Sequence, residues 1–377
     1  MRWSAEPPPA EFLSAAIDAA PERSLDAGAF WQRLRPRLRD FGISRVADIT
    51  GLDHVGFPVA QAVRPEARSN AVTQGKASSL EGAAVGAVLE CLEMAAGEDV
   101  ARLPVAGPCD RIDWSVLAPT GYWPDAGSAF VAAWDIGRDA PGAVPQDLLS
   151  TDFSRGAEAE AAPILRQSIG LGAGTNFAAA MMHGLLECIE ADARVRAEAG
   201  GRWRRVAPDR GDARFGALLT RLEERGMRVL FHDMSRRDDV VSVAASVMEP
   251  PGASALPLPA AGYGCRPSVS AAMDAALSEA VQARLAVISG AREDITQRAY
   301  RHNVPAELLD AEWARHAPGP ALAAASPKAP NPTLRSLAAG RGPVLAVPLR
   351  WDAGIPLAIV RVIAPDLLAD PLRGAVA

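Results

Sequence analysis

Residues 74–93 of the 377-residue chain read QGKASSLEGAAVGAVLECLE, and their pattern predicts a helix that carries two glutamates on one face. The helix is expected from about Leu80 to Ala96. Ser78 and Glu81 form a capping-box pattern at its start, and Gly97 is placed to end it. Apolar residues at helical spacing predict a buried stripe of Val85, Leu89, Leu92 and Ala96.

The end of this stretch recurs later in the chain and predicts a second helix of the same kind. Leu-Glu-Cys-Leu-Glu at residues 89–93 reappears as Leu-Glu-Cys-Ile-Glu at residues 186–190. The second copy lies in a helix predicted from about Phe177 to Ala199, and either Thr175 or Asn176 is suited to cap it. Its predicted inward residues are Met182, Leu185, Ile189 and Ala193.

A third helix and several strands complete the predicted architecture. The helix is expected from about Ser270 to Ser289, with Met273, Leu277, Val281 and Leu285 inward. Runs of branched residues predict strands at 59–63, 130–136, 228–234, 240–247, 344–349 and 357–363. The expected fold class is therefore α/β with mixed strands and packed helices, organised as an N-terminal extension (1–44) and one domain (45–377). Residues 303–342 are rich in Ala and Pro and predict a surface excursion.

Composition indicates a globular protein and excludes several classes. The chain is 49% hydrophobic and 22% charged, and it has no run of 18 apolar residues, so a membrane protein is disfavoured. Residues 1–10 lack the pattern of a secretory signal, so the cytoplasm is the expected location. The net charge of −6, with Lys and Arg spread throughout, disfavours nucleic acid. Free thiols are expected at Cys91, Cys109, Cys188 and Cys265.

Two pairs of glutamates are the first candidates for chemistry. Glu90 with Glu93, and Glu187 with Glu190, are three residues apart, so each pair shares a helical face. If the pairs converge, two carboxylates about 4 Å apart repel by roughly 4 kcal/mol at an effective dielectric of about 20. Such a cluster needs protons or cations, and its oxygen ligands favour Mg2+ together with the phosphates of ATP. The alternative, which the pairs alone favour, is two amphipathic helices whose glutamates face water.

Weaker signals lie beside these pairs. His183 shares the face of the second pair and can order a carboxylate or move a proton, although such a histidine is more often a packing or surface residue. Residues 170–174, GLGAG, suit either a phosphate contact or a plain flexible turn. Lys76 is a candidate counter-charge for phosphate, with a solvated lysine as the alternative. Cys91 and Cys188 point away from the glutamates and are expected in the core, not as nucleophiles.

Further motifs accompany these pairs in a definite order. They are residues 48–53 (DITGLD), 56–59 (GFPV), 62–65 (AVRP), 74–76 (QGK), the two glutamate helices, 279–284 (EAVQAR), 288–294 (ISGARED), 354–356 (GIP) and 362–365 (VIAP). Their combination and order resemble the YcaO family. The resemblance covers about residues 45 to 366, and the combination is specific although each motif alone is weak.

The resemblance implies an activity and partners. The opening segment is most similar to YcaO members that work with a TfuA-type partner in thioamide formation. Within the family, the implied reaction is an ATP-dependent modification of backbone amides in a ribosomally made precursor peptide or another protein. Its product would be a thioamide, an azoline ring or an amidine. The resemblance also implies a homodimer.

Site residues follow from the resemblance, without a catalytic residue among them. Mg2+ would be held by Glu90, Glu93, Glu187 and Glu190. The nucleotide site would be lined by Lys76, Glu279, Gln282 and Arg284. Glu279 and Gln282 share one helical face, a pattern that carries little weight outside the family context.

The chain departs from the family pattern at several positions, and these departures leave alternatives open. Gly86 replaces a usual Ser, Ala179 a usual Glu, Ala275 and Ala191 usual arginines, and Ile169 a usual Asn. Either other residues compensate, or the chain is a divergent member with weakened or lost ATP turnover that serves as a scaffold for a peptide or partner enzyme. A carboxylate-bridged redox metal protein is a third hypothesis, which the lack of a second histidine at matching spacing disfavours.

Overall fold

The computed structural model describes residues 8–19, 26–107, 112, 114–117, 129–154, 167–200, 203–253, 259–293, 295, 300, 304–324, 326–327, 331–352 and 354–368. Its α-helices are α1 (Ser14–Ile17), α2 (Ala27–Leu34), α3 (Leu80–Gly97), α4 (Phe177–Gly200), α5 (Ala213–Glu224), α6 (Val269–Ser289), α7 (Ala306–Arg315), α8 (Leu334–Ala338) and α9 (Pro365–Leu368). Its strands are β1 (Arg45–Asp48), β2 (Val59–Val63), β3 (Val72–Lys76), β4 (Val105–Ala106), β5 (Phe130–Asp135), β6 (Ala140–Pro145), β7 (Leu171–Gly174), β8 (Arg204–Val206), β9 (Arg228–Asp233), β10 (Val241–Met248), β11 (Ala260–Arg266), β12 (Leu345–Asp352) and β13 (Leu357–Ile363).

The described strands form three antiparallel sheets. Their orders are β1-β2-β3, then β11-β10-β9-β8, and finally β4-β5-β12-β13-β7, with β6 also paired to β5. The six strands predicted from branched residues are all present, because such residues suit a half-buried pleated surface. The predicted mixed α/β class is confirmed.

The hydrophobic core lies between these sheets and the helices. Alternate residues of β13 face two different clusters, since successive side chains of a strand point to opposite sides. Ile359 packs in the cluster that contains α3, and Val360 in the cluster that contains α4. A third cluster packs α5 and α6 against β9 and β10. The sheet that contains β13 is therefore held between the two glutamate-bearing helices.

The three predicted helices are present, with small corrections at their starts. Ser79 caps α3 by accepting a hydrogen bond from the backbone N–H of Gly82 at 3.1 Å, so the prediction of Ser78 was wrong by one residue. Of the two candidates before α4, Asn176 accepts from Ala179 at 2.8 Å. The inward residues predicted for α6 are fully buried, whereas Val85, Leu89 and Met182 are only partly buried.

Each of the three helices follows directly on a strand that contains a glycine. Adding a Cβ to Gly75 in β3 would place it 2.2 Å from the carbonyl oxygen of Ala83 in α3, and a Cβ on Gly172 in β7 would lie 2.1 Å from that of Ala180 in α4. The third pair, β11 and α6, has the same close contact between a strand glycine and the helix backbone. Each of these strands and the helix that follows it form one strand–helix unit. β7 and β11 contain no β-branched residue, and β3 has only Val72 and Thr73, so these short strands were not predicted. The predicted turn or phosphate loop at residues 170–174 is instead strand β7, whose glycine permits close helix packing.

Two further segments differ from simple sequence expectations. Residues 303–342 were predicted as a surface excursion, yet Leu334, Leu337 and His316 are buried, so this part of the chain packs on the body of the protein. In the N-terminal segment Leu13 and Leu34 are also buried. The division between residues 1–44 and the remaining domain stays a prediction.

The described cysteines and helices match the expectations from composition. Cys91, Cys188 and Cys265 are free and buried, and Cys109 lies outside the described residues. Across the described part of the chain, every helix is too short or too polar to cross a lipid bilayer.

We expect Gly172→Ala to lower the free energy of unfolding by about 3 kcal/mol, because the added methyl group collides with the backbone of α4. Urea unfolding followed by circular dichroism measures this change. Gly51→Ala is the matched control, since a Cβ there meets nothing within 4 Å. Equal stability of the two variants would contradict the proposed close packing.

Candidate active site

A cavity of about 820 Å3 lies where the three strand–helix units meet. Seven of the eight residues predicted for the site line it: Lys76, Glu90, Glu93, Glu187, Glu190, Glu279 and Gln282. The acidic faces of α3 and α4 therefore converge on a shared space instead of facing bulk water on separate surfaces. Sequence spacing predicted which side chains share each helical face, and the fold brings the faces together.

Backbone N–H groups orient the glutamates. Glu90 accepts from Gln74 at 3.1 Å, and Glu187 accepts from Gly170 at 2.8 Å, each on the strand side of its own unit. Glu93 instead accepts from Ala173 of β7 at 2.6 Å, in the next unit. The carboxylates are thus held by the framework and are not free to turn toward solvent.

Hydrogen bonds also join the second strand–helix unit to the third and the third to the first. Glu190 on α4 has a hydrogen bond with the backbone of Cys265 on β11. Gln282 on α6 donates through Nε2 to the carbonyl oxygen of Gln74 on β3 at 3.1 Å. One side chain of each helix therefore reaches the strand of the following unit, and the three units form a closed ring around the cavity.

Burial raises the pKa of each of these carboxyl groups and so favours their protonated forms when no cation is near. It raises the pKa of Glu187 to about 8 and that of Glu190 to about 7. Burial also raises the pKa of Glu90, and it raises the pKa of Glu93 well above the ordinary value, with the neighbouring charge of Glu187 adding to the effect. A divalent cation that displaced these protons would remove the repulsion among the carboxylates.

The cavity residues fit Mg2+ bound together with a phosphate ligand. Within the described residues, no three His, Cys, Asp or Glu side chains are grouped closely enough to hold one metal ion. Mg2+ does not need such a cage, because it is typically bound by one or two carboxylates, with water and substrate phosphates completing the octahedron. The oxygen donors in the cavity suit this ion. A redox metal centre fits less well, since His183 is the one histidine among the described lining residues.

Gln74 adds a second sign that the cavity receives a polar ligand. Gln74 is 2% exposed, and both its Oε1 and its Nε2 lack a hydrogen-bond partner within the described part of the chain. A buried amide left in this state costs free energy. Because Gln74 lines the cavity, a polar ligand there is in position to satisfy it.

Positive charges in the cavity come partly from residues that the sequence motifs did not reveal. The Nζ of Lys76 lies 3.3 Å from Glu279 Oε2. Arg214, Arg266 and Arg292 also line the cavity. Arg292 belongs to the motif at residues 288–294 but was given no role there, and Arg214 and Arg266 belong to no motif, since an isolated arginine carries no local pattern.

The eighth predicted site residue, Arg284, is held elsewhere. Its Nε lies 2.8 Å from Asp53 Oδ2, and its Nη2 lies 3.1 Å from Glu249 Oε1. On a helix with 100° per residue, position 284 lies about 200° from Gln282, so its side chain leaves the opposite face. Arg284 is absent from the described lining of the cavity and is a structural ion-pair residue of α6.

The remaining candidates take the following places. His183 faces the open cavity, and burial together with the charges of Arg266 and Lys76 lowers its pKa to about 4, so it is neutral near pH 7. Burial raises the pKa of Cys91 to about 11 and raises that of Cys188 as well, which keeps both thiols protonated. Among the departures from the family pattern, Gly86 and Ala275 both line the cavity, and these two small residues leave space there.

Comparisons with known proteins identify relatives of the chain. A family model described as YcaO cyclodehydratase, ATP- and Mg2+-binding, matches residues 74–368. A protein of Rhizobium leguminosarum bv. trifolii, described as an uncharacterised protein in the tfuA 3′ region, is 29% identical over 391 residues, covering 95% of this chain and 91% of the relative.

Solved structures show the same fold. The structure of YcaO from Methanopyrus kandleri bound with AMPPCP and Mg2+ has a TM-score of 0.70 and 22% identity, and the match covers 92% of each chain. A heterocyclase in complex with substrate and cofactor has a TM-score of 0.67 and 16% identity, over 89% of this chain and 52% of that chain.

We expect the ligand-free protein to lose stability as pH rises from about 5 to 8. The folded state keeps the Glu187 proton up to its pKa of about 8, whereas the unfolded chain releases it near the ordinary value of 4.5, so the folded state binds more protons between these limits. Urea unfolding at a series of pH values, with chelator and without nucleotide, measures the loss.

Glu187→Gln isolates the contribution of this carboxyl group. The variant should remove roughly 2 kcal/mol of the decline, because a glutamine has no proton to release. A wild-type stability that rises over this interval, or a variant whose slope equals that of the wild type, would contradict the assigned protonation.

Proposed function

Because the chain belongs to the YcaO family, we propose that it uses ATP and Mg2+ to modify backbone amides of a ribosomally synthesised peptide or a protein. It is an ATP-dependent enzyme of the YcaO type, whose family is described as a cyclodehydratase that binds ATP and Mg2+. The observation that carries the proposal is the convergence of two half-buried glutamate pairs on one cavity with basic side chains in its wall. Glutamates on a solvated surface would keep ordinary pKa values, whereas the pKa values of these four are raised.

The proposed ligand sets follow the arrangement of the ring. Glu90, Glu93, Glu187 and Glu190 would hold Mg2+ between them and the phosphates, with no single ion held by all four. Lys76, Glu279 and Gln282 would line the nucleotide, and Gln74 joins this set because its side-chain amide has no partner among the residues that the structure describes. Arg284 is left out because Asp53 and Glu249 hold it.

The chemistry proposed for this site is activation of an amide oxygen. A sulfur or side-chain nucleophile would add to the amide carbon, the resulting oxygen would take a phosphoryl group from bound ATP, and that oxygen would then leave with the phosphate. The residues of the chain contribute position and charge: the strand N–H groups fix the carboxylates, and the basic side chains offset the negative charge of a triphosphate. His183, neutral near pH 7, faces the same space and can accept a proton there.

Thioamide formation is the specific outcome that we propose. The support is the likeness of residues 48–65 to TfuA-associated members, together with the Rhizobium relative described as lying in the tfuA 3′ region. A TfuA-like protein is therefore the proposed partner for sulfur delivery. A cytoplasmic homodimer completes the proposal.

A non-catalytic scaffold is the second candidate, and the departures from the family pattern favour it. Gly86 and Ala275 remove a hydroxyl group and a guanidinium group from the cavity wall, and Ala179 removes a carboxylate near it. Such a protein would bind a peptide or a partner enzyme through the same fold. Nucleotide binding separates the two candidates, because a scaffold without a working site gives little or no heat with Mg2+ and ATP.

We expect the wild-type protein to bind ATP in the presence of Mg2+ and to consume it when its peptide is added, and Glu90→Gln to reduce turnover by at least about 100-fold. The reason is that a neutral amide replaces a carboxylate in the proposed metal set. Calorimetry and phosphate release measure binding and turnover. Glu81→Gln, at an exposed position near the start of the same helix, is the control and should behave as the wild type.

ATP turnover by Glu90→Gln at the wild-type rate would contradict the proposed metal site. Absence of Mg2+-ATP binding by the folded wild type would favour the scaffold instead.

The product identifies the reaction. With a candidate precursor peptide, a TfuA-like partner, sulfide and ATP, we expect the peptide mass to change by the exchange of one oxygen for one sulfur. Mass spectrometry of the peptide distinguishes this change from the loss of one water, which an azoline would give. Loss of water without any uptake of sulfur would contradict thioamide formation while leaving the ATP-dependent site intact.

A further inference from the structure

Arg266 is a cavity-lining arginine whose charge is not matched by a carboxylate at ion-pair distance among the described residues. It is the last residue of β11 and is half-buried. Its guanidinium donates through Nη1 to the carbonyl oxygen of Cys265, its own neighbour, at 2.7 Å. This bond orients the group and leaves its remaining N–H donors available to the cavity.

Two other basic residues of the cavity have acidic partners. Lys76 Nζ lies 3.3 Å from Glu279, and Arg214 Nη2 lies 3.9 Å from Asp274. Arg214 is also largely exposed at the rim, with 65% of its side chain accessible. Arg266 differs from both because it is partly buried and has no ion-pair partner among the described side chains.

The position of Arg266 is next to the proposed metal acids. Its positive charge lowers the pKa of Glu190 and also that of His183, so its field reaches the wall formed by α4. Ala275 on α6 lines the same cavity, and a Cβ built on Gly264, two residues before Arg266, would lie 2.9 Å from the Cβ of Ala275. The strand end and this part of the helix therefore border one space.

We propose that Arg266 binds the polyphosphate of ATP and takes the place of the guanidinium that the family pattern puts at position 275. The inference rests on the proposed function, because it requires a nucleotide in this cavity. An arginine presents a planar fork of donors that matches phosphate oxygens, and bonds of this kind are stronger than those between neutral groups. A strand residue and a helix residue that face the same space can supply the same group from different backbone positions.

The test is calorimetric binding of ATP with Mg2+ to Arg266→Gln. We expect ATP binding to weaken by roughly 10- to 100-fold, whereas adenosine, measured by competition, binds as it does to the wild type. Arg210→Gln is the matched control, and we expect less than about 3-fold loss, because this exposed arginine is paired with Glu223 and is not among the described residues that line the cavity. Thermal unfolding verifies that each variant is folded.

The double variant Arg266→Gln with Ala275→Arg tests the replacement itself. Recovery of at least about 10-fold in ATP affinity over Arg266→Gln would support it, and a double variant as weak as the single one would overturn it. Equal losses in Arg266→Gln and Arg210→Gln, or equal losses for ATP and adenosine, would overturn the phosphate contact. A wild type that binds no ATP would instead defeat the proposed function, so the two failures are distinguishable.

Discussion

Hydrogen bonds from strand backbones to helix side chains are the interaction on which this cavity depends. Glu93 and Glu190 each bond to the strand of the following unit, and this ties the three units together. Gln282 makes the corresponding connection in the opposite sense, because its amide donates to a carbonyl oxygen. A carboxylate cannot donate such a bond. The glutamine thus joins the third helix to the first strand without adding another negative charge to a crowded space.

Glycines in the strands make these bonds geometrically accessible. Gly75, Gly172 and Gly264 each lie fifteen residues before the first acid of the helix that follows, at Glu90, Glu187 and Glu279. At each glycine the helix backbone passes so close that a Cβ would collide with it. A wider separation would move the short glutamate side chains out of reach of the strand N–H groups. Close packing and the orientation of the site are therefore one structural feature.

The electrostatics of the cavity link its stability to its ligands. Buried acids that face one another hold protons, as the raised pKa values of Glu187 and Glu190 show. A cation that binds to these carboxylates must displace their protons, so the affinity for the cation depends on pH. The basic residues of the wall balance part of the remaining charge, and the guanidinium of Arg266 has no carboxylate at ion-pair distance among the described residues. An anionic ligand such as a polyphosphate suits this arrangement.

Local sequence patterns determined the helices, the branched strands and the two glutamate pairs of this YcaO family member, because helical and strand periodicities are properties of short segments. The order of the motifs likewise pointed to the family and its cofactors. The glycine-containing strands β3, β7 and β11 were not predicted, since their formation depends on the helices packed against them. Only the tertiary structure turned Arg284 toward an ion pair outside the cavity and brought Arg266 into its wall. Such outcomes depend on contacts between residues far apart in the chain, which no local pattern encodes.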